Sequence, residues 1–197
     1  MPVSPPDKAE PAPLPGEESV AYALRAAEAK ALSLPPDFFR SCPSPVIIAA
    51  DTIVVLEGRI LGKPGNPGRA YAMLRSLAGK THEVVTGCVI YSRSAVMHAF
   101  AVQTQVSMWD APPELLRAYA NSNEPLDKAG AYAAQGAGVA LVRCINGSWS
   151  NVVGLPLAEL VEALLRMDII APVGAGANPD EAMPGAGLRW GCMDLLT

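Results

Sequence analysis

Along the chain, apolar and polar positions fall into short, well-bounded blocks. Ser19 to Leu32 carries Val20, Leu24, Ala27 and Ala31 at helical spacing, which predicts a helix that Pro35-Pro36 stops. Val46 to Leu56 is a β-rich run interrupted only by Asp51 and Thr52, and Glu57-Gly58-Arg59 predicts a tight turn into Ile60-Leu61. Asn66-Pro67 supplies an N-cap and a first-turn proline for a helix bearing Ala70, Met73, Leu74 and Leu77, closed by Gly79. Glu83 to Tyr91 and Val96 to Val106 read as a long hairpin across Ser92-Arg93-Ser94. A short helix over Pro112 to Ala120 follows, then a polar, glycine-bearing segment from Asn121 to Gly138. Val139 to Ile145 reads as a strand and Asn146-Gly147 as a hairpin turn. Pro156 to Met167, with Leu157, Leu160, Val161, Leu164 and Leu165, is an amphipathic helix. Helices interspersed with strands and hairpins imply an α/β fold, a mixed sheet with flanking helices.

The two ends break this regularity. Residues 1–16 hold six prolines and read as a disordered extension, and residues 171–197 form a Gly/Ala/Pro-rich tail with little periodicity, save for a segment around Trp190 able to dock. The expected organisation is therefore one folded unit over residues 17–170 between two extensions. Fifteen Lys plus Arg against nineteen Asp plus Glu leave a net charge of -4, which gives no basic field for a nucleic-acid backbone. Half of the residues are hydrophobic and 17% charged, the reverse of a disordered polyelectrolyte. Apolar runs such as Val46 to Ala50 are too short to span a bilayer, and no secretion signal is visible, so a cytoplasmic location away from membranes is expected. Cys42, Cys88, Cys144 and Cys192 form no CxxC pair; they read as reduced thiols, with Cys88 and Cys144 in strand cores, and His98 reads as structural.

Three positions stand out chemically. Asp51 lies inside an apolar strand, where an unpaired carboxylate would cost several kcal/mol. It either caps a turn at the strand's end or stands at a cleft edge to bind a divalent metal or activate water. Lys63, in Leu61-Gly62-Lys63-Pro64, is either a surface lysine before a turn or a cation for a phosphate. Glu124 to Gly136 packs two acids, a lysine, an amide and two glycines into one irregular stretch, read either as a functional loop or as a solvated one with a local Asp127–Lys128 pair. Lys30, at the end of the first helix, has a plain explanation as a cation at a helix C-terminus.

Taken in order, these signals resemble the Maf family of nucleoside triphosphate pyrophosphatases from about Glu17 to Leu165. The resemblance rests on Ala27-Glu28-Ala29-Lys30-Ala31, on Ala50-Asp51-Thr52-Ile53-Val54 with Leu61-Gly62-Lys63-Pro64, His82 and Thr86-Gly87, and on Glu124 to Tyr132 with Gln135-Gly136 and Asn151 to Leu157. It implies a two-lobed, Maf/ITPase-like architecture with a central cleft. It also implies that Asp51 is the proton acceptor for water attacking a nucleoside triphosphate, giving monophosphate and pyrophosphate. Lys30 and Lys63 match cleft lysines, Thr52 and Gln135 match positions associated with base choice, and Asp127 and Lys128 fall with them among substrate-binding residues. Asp51-Thr52 is similar to the branch acting on dTTP and UTP. The resemblance further implies a divalent cation, magnesium, bridging phosphate and Asp51, and a homodimer. One departure is plain: family members begin with a strand running into a Ser-x-Ser-Pro-Arg-Arg loop, whereas residues 1–16 contain Ser4-Pro5-Pro6 and no arginine. That departure implies an alternative, a catalytically impaired homologue that binds nucleotide or a protein partner.

Overall fold

The computed structural model describes residues 11–34, 45–92, 95–172 and 193–196. Its elements are α1 (Ser19–Leu32), β1 (Val46–Leu56), β2 (Arg59–Leu61), α2 (Pro67–Leu77), β3 (Thr81–Ser92), β4 (Ala95–Met108), α3 (Pro113–Ala120), three 3-10 turns (Glu124–Asp127, Ala129–Ala131, Ala137–Leu141), β5 (Val142–Asn146), α4 (Trp149–Val153), α5 (Leu157–Arg166) and β6 (Met193–Leu196). The sheet runs β2-β1-β3-β4-β5 with antiparallel neighbours, and β6 pairs parallel with β1. This is the mixed α/β architecture that the hydrophobic pattern predicts.

The outer edge of β1 is shared. β2 folds back through Glu57 and Gly58, both at positive φ, and pairs with Val54, Val55 and Leu56. β6 covers the other half, opposite Val46 to Ala49. Among the described residues, positions 50–53 have no strand partner on that edge. Asp51 falls in this gap.

Strand alternation assigns the faces. On the first face, Ile47, Ala49, Ile53, Val55 and Val85 meet α1 through Tyr22, Ala23, Ala26 and Ala31. On the opposite face the core divides in two. Val54, Leu56 and Val84 pack with α2, α3 and the 124–141 turns, while Ile48, Cys88 and Ile90 pack with α5. Between these apolar clusters runs a polar belt of Thr52, Thr86, Thr104 and Asn151.

Several local expectations change. α1 buries Ala23, Ala26, Ala27, Lys30 and Ala31 rather than the Val20–Leu24 side. The reason is Gly87, where a Cβ would come within 2.4 Å of the Ala23 carbonyl group: a strand without a side chain lets a helix of alanines lie directly on it. Asn146-Gly147 is not a hairpin turn; β5 ends there and Ser148 caps α4, its side chain accepting from Asn151 N. The strand expected from Val139 begins at Val142, because residues 137–141 coil into a 3-10 turn. Cys88 is buried, and burial pushes its thiol up to about 12, but Cys144 is exposed on β5 rather than in a core. His98 is exposed on β4. Cys42, Cys192, Trp190, the turn at 93–94 and residues 1–10 lie outside the described residues, whereas 11–16 are tied down: Arg25 donates to the Ala12 carbonyl at 3.0 Å and grips Glu17. That guanidinium holds the Glu17 carboxyl down to about 2. From the tail, Met193–Leu196 contributes the strand β6.

Candidate active site

The site grows from the interruption in β1. Asp51 stands opposite Gly87 of β3, and antiparallel partners share a face, so Asp51 points toward α1. One turn after Ala26 and Ala27, Lys30 lies on the same buried side of α1. Its Nζ is 2.8 Å from Asp51 Oδ1 and donates to the Ala50 carbonyl at 3.2 Å. Both side chains are nearly inaccessible, at 7% and 6% exposure. Neither charge would be tolerated there alone. The structure thus brings together two predicted residues 21 positions apart in sequence.

The other predicted residues stand on the exit of β2, on the loop stitched to it and on the far face of β1. β2 runs antiparallel to β1, back toward Asp51, and Lys63 is exposed two residues past Leu61 on that course. Gly65 N donates to the Leu126 carbonyl at 3.1 Å and Gly130 N to the Gly62 carbonyl at 3.3 Å, so the Lys63 turn is stitched to the 124–131 turns. Asp127 and Lys128 pair at 2.6 Å, with side chains 70% and 44% exposed. Lys128, and to a smaller degree Lys63, holds the Asp127 carboxyl below its ordinary value. The local Asp127–Lys128 pair expected of a solvated loop therefore exists, on a loop joined to the Lys63 turn. Gln135 is exposed on the same loop.

Thr52 is separated from Asp51 by the sheet. Its Oγ1 lies 2.8 Å from Thr86 Oγ1 and donates to the Gly154 carbonyl at 3.2 Å. The hydroxyl that the resemblance associates with base choice is engaged in joining β1, β3 and the C-terminal end of α4. Asn151 completes the belt, donating to the Val84 carbonyl at 3.1 Å and to Thr104 Oγ1 at 3.0 Å.

Sequence reasoning gave no role to four side chains that shape the 124–138 loop. Glu124 Oε1 accepts from Tyr119 Oη at 2.9 Å and from Gly138 N at 3.0 Å, and its Oε2 accepts from Ala137 N at 3.0 Å. Those donors, the Gly138 amide foremost, hold the Glu124 carboxyl below its ordinary value. Tyr119 Oη also accepts from Ala133 N at 3.1 Å. Tyr132 Oη lies 2.8 Å from His82 Nε2, deep in the core. Burial alone takes His82 down to about 4, so the imidazole is neutral. The available signal was the placing of Gly136 and Gly138: a Cβ on either would strike the Glu124 carboxylate or Tyr119 Oη at 2.5 Å.

The structure thus buries a carboxylate and an ammonium together at a break in a sheet edge of a mixed α/β protein, with Lys63 and Lys128 on turns that are hydrogen-bonded to each other. A family model described as "Maf-like protein" matches residues 2–167. The chain belongs to that family. It is 49% identical over 165 residues to a dTTP/UTP pyrophosphatase of Nitratidesulfovibrio vulgaris, covering 84% of this chain and 77% of that protein. It is 47% identical over 171 residues to a dTTP/UTP pyrophosphatase of Oleidesulfovibrio alaskensis, covering 84% and 75%. A dTTP/UTP pyrophosphatase of Anaeromyxobacter is 44% identical over 169 residues, with coverage of 84% and 78%.

Proposed function

We propose that this protein is a nucleoside triphosphate pyrophosphatase that hydrolyses dTTP or UTP to the monophosphate and pyrophosphate. The observation that carries the reading is the buried Lys30–Asp51 pair, 2.8 Å apart, at the gap in the β1 edge. The specificity assigned follows that of the relatives. In this reading Asp51 accepts a proton from the water that attacks phosphorus at the α–β anhydride. The new oxygen–phosphorus bond replaces the one to the leaving pyrophosphate, whose growing charge Lys30 and Lys63 offset. Gln135 and the Asp127–Lys128 turn contact the nucleoside side of the substrate, and Thr52 acts by holding β1 in place.

Among the described residues no three His, Cys, Asp or Glu side chains stand together as a metal cage. That composition fits an ion carried by the triphosphate, since magnesium keeps most of its waters and needs only one or two protein carboxylates. Asp51 would hold it, and the ion, when bound, neutralises phosphate charge. The enzyme works in the cytoplasm as a homodimer. No helix among the described residues is long and apolar enough to cross a membrane. Leu157, Val161 and Leu165 form an exposed apolar line along α5 that a second copy would cover. Light scattering of wild type and of Val161→Glu tests that arrangement.

The deciding assay is pyrophosphate release across a panel of triphosphates with magnesium, wild type against Asp51→Asn. Release from dTTP or UTP that falls at least 10³-fold in the variant is the expected result. The same assay separates this from a second reading, a nucleotide-binding homologue without turnover. Thermal stabilisation by UTP with no pyrophosphate released would select it.

A further inference from the structure

The 124–138 loop carries three of the residues assigned to substrate, yet its backbone has little regular structure of its own. Its three 3-10 turns are short, and Gly130 and Ala131 sit at positive φ. Something other than helix or strand pairing must set where its side chains stand. The anchor at the Asp127 end is the Lys63 turn, through the Gly65–Leu126 and Gly130–Gly62 hydrogen bonds. The anchor at the Gln135 end is a single carboxylate. Glu124, at the loop's first residue, reaches across to take the amides of Ala137 and Gly138, so the two ends of the loop are closed on each other. Tyr119, fixed on α3 and 8% exposed, holds the third position on that carboxylate and accepts the Ala133 amide. Gln135 therefore lies between two clamped points, Ala133 and Ala137, and beside Gly136, whose missing Cβ leaves room for the carboxylate.

Resting on the function proposed above, we propose that Glu124, backed by Tyr119, is a positioning residue that fixes Gln135 for recognition of the nucleoside. It does not touch the reacting atoms. Its carboxylate replaces water on two loop amides and removes the freedom of the turn that presents Gln135. Releasing the clamp makes the bound geometry one of several, so affinity falls by the fraction of time it is populated while the chemistry at Asp51 proceeds as before.

The test is steady-state kinetics with UTP for Glu124→Ala, Tyr119→Phe, Gln135→Ala and the Glu124→Ala/Gln135→Ala double variant. The expected results are a KM about tenfold higher for Glu124→Ala with kcat within about threefold of wild type, and a smaller rise for Tyr119→Phe. In the Gln135→Ala background the effect of Glu124→Ala should vanish, because it acts through that side chain. Glu124→Gln, which retains one oxygen for Tyr119 and Gly138, should recover part of the affinity. A lowered kcat with unchanged KM, or effects that multiply in the double variant, would overturn the proposal. If Glu124→Ala does not fold, an unchanged KM in Tyr119→Phe does the same. Calorimetric binding of the non-hydrolysable α,β-methylene analogue of UTP is measured in parallel. Absence of turnover with analogue binding intact removes the pyrophosphatase reading alone, and the Kd ratios then decide the role of Glu124 by the same criteria.

Discussion

Gly87→Ala tests the link between packing and chemistry most directly. The substitution adds one methyl group to a buried strand position, at a backbone conformation alanine accepts. That methyl would lie 2.4 Å from Ala23 C and O and 2.5 Å from Leu24 N. Ordinary contact begins near 3.5 Å, so α1 must retreat by about 1 Å. No flexible side chain can absorb the shift, since the obstructing atoms are helix backbone. The retreat loosens Ala23, Ala26 and Ala27, each wholly buried against the sheet. Overpacking of this kind costs roughly 1–3 kcal/mol. The same movement draws Lys30 away from Asp51, a contact of 2.8 Å with little slack. Misplacing a reacting group by about 1 Å can lower turnover around 10²-fold. Urea unfolding and pyrophosphate release should therefore fall together, with Gly68→Ala on α2 as the control because a Cβ there meets nothing closer than 3.5 Å. Gly87→Ala within about 0.5 kcal/mol of wild type, with normal turnover, would refute the claim that this glycine seats the helix and its lysine.

Two further outcomes follow from buried charge. Lys30→Met keeps the apolar stem and removes the ammonium; stranding Asp51 should cost about 3–5 kcal/mol in urea unfolding, and adding Asp51→Asn should recover part of that loss without restoring turnover. His82 provides a pH signature: its value of about 4 in the fold lies below the unfolded 6.5, so the unfolded chain takes up a proton first as pH falls. Stability is retained above about 6.5 and lost progressively down to about 4, by roughly 2 kcal/mol between pH 7 and 5. Comparing urea midpoints of wild type and His82→Gln at those two pH values isolates the term, and identical pH dependence in both proteins would remove it.

Periodicity located most elements because apolar spacing and turn chemistry act locally. α1, the β1–β2 turn and the Asn66-Pro67 start of α2 all appear where those signals put them. What remained hidden depends on contacts distant in sequence. The burial of Lys30 could not be read from α1, because it is Gly87, 57 residues later, that turns the alanine side of the helix inward. Likewise, Asn146-Gly147 carries a hairpin signal, but Ser148 with Asn151 offers a helix start and Thr104 accepts the Ser148 amide at 3.1 Å, which draws the chain into α4. The loop clamp of Glu124 was illegible for the same reason: its partners are backbone amides 13 and 14 residues away.

The adjacent polar pair Asp51-Thr52, the one interruption in an apolar strand, acquires its meaning from the twofold periodicity of β structure. Successive residues face opposite sides, so the interruption makes one cross-section of the sheet polar on both faces at once. On the α1 face this cross-section is the Asp51–Lys30 pair. On the other it is Thr52 with Thr86, joined through the Gly154 and Asn151 carbonyls to α4. The second face braces the first: Thr52 and Thr86 hold β1 in register with β3 at the level of Asp51, where the outer edge of β1 has lost its own strand partner among the described residues. Thr52→Val, which keeps shape and removes both hydroxyl contacts, should then lower stability by about 1–2 kcal/mol. If Thr52 serves the strand and not the base, dTTP and UTP turnover should fall by one common factor in Thr52→Val. A change in the ratio of kcat/KM between pyrimidine and purine triphosphates would instead place its hydroxyl against the nucleobase and refute the bracing role.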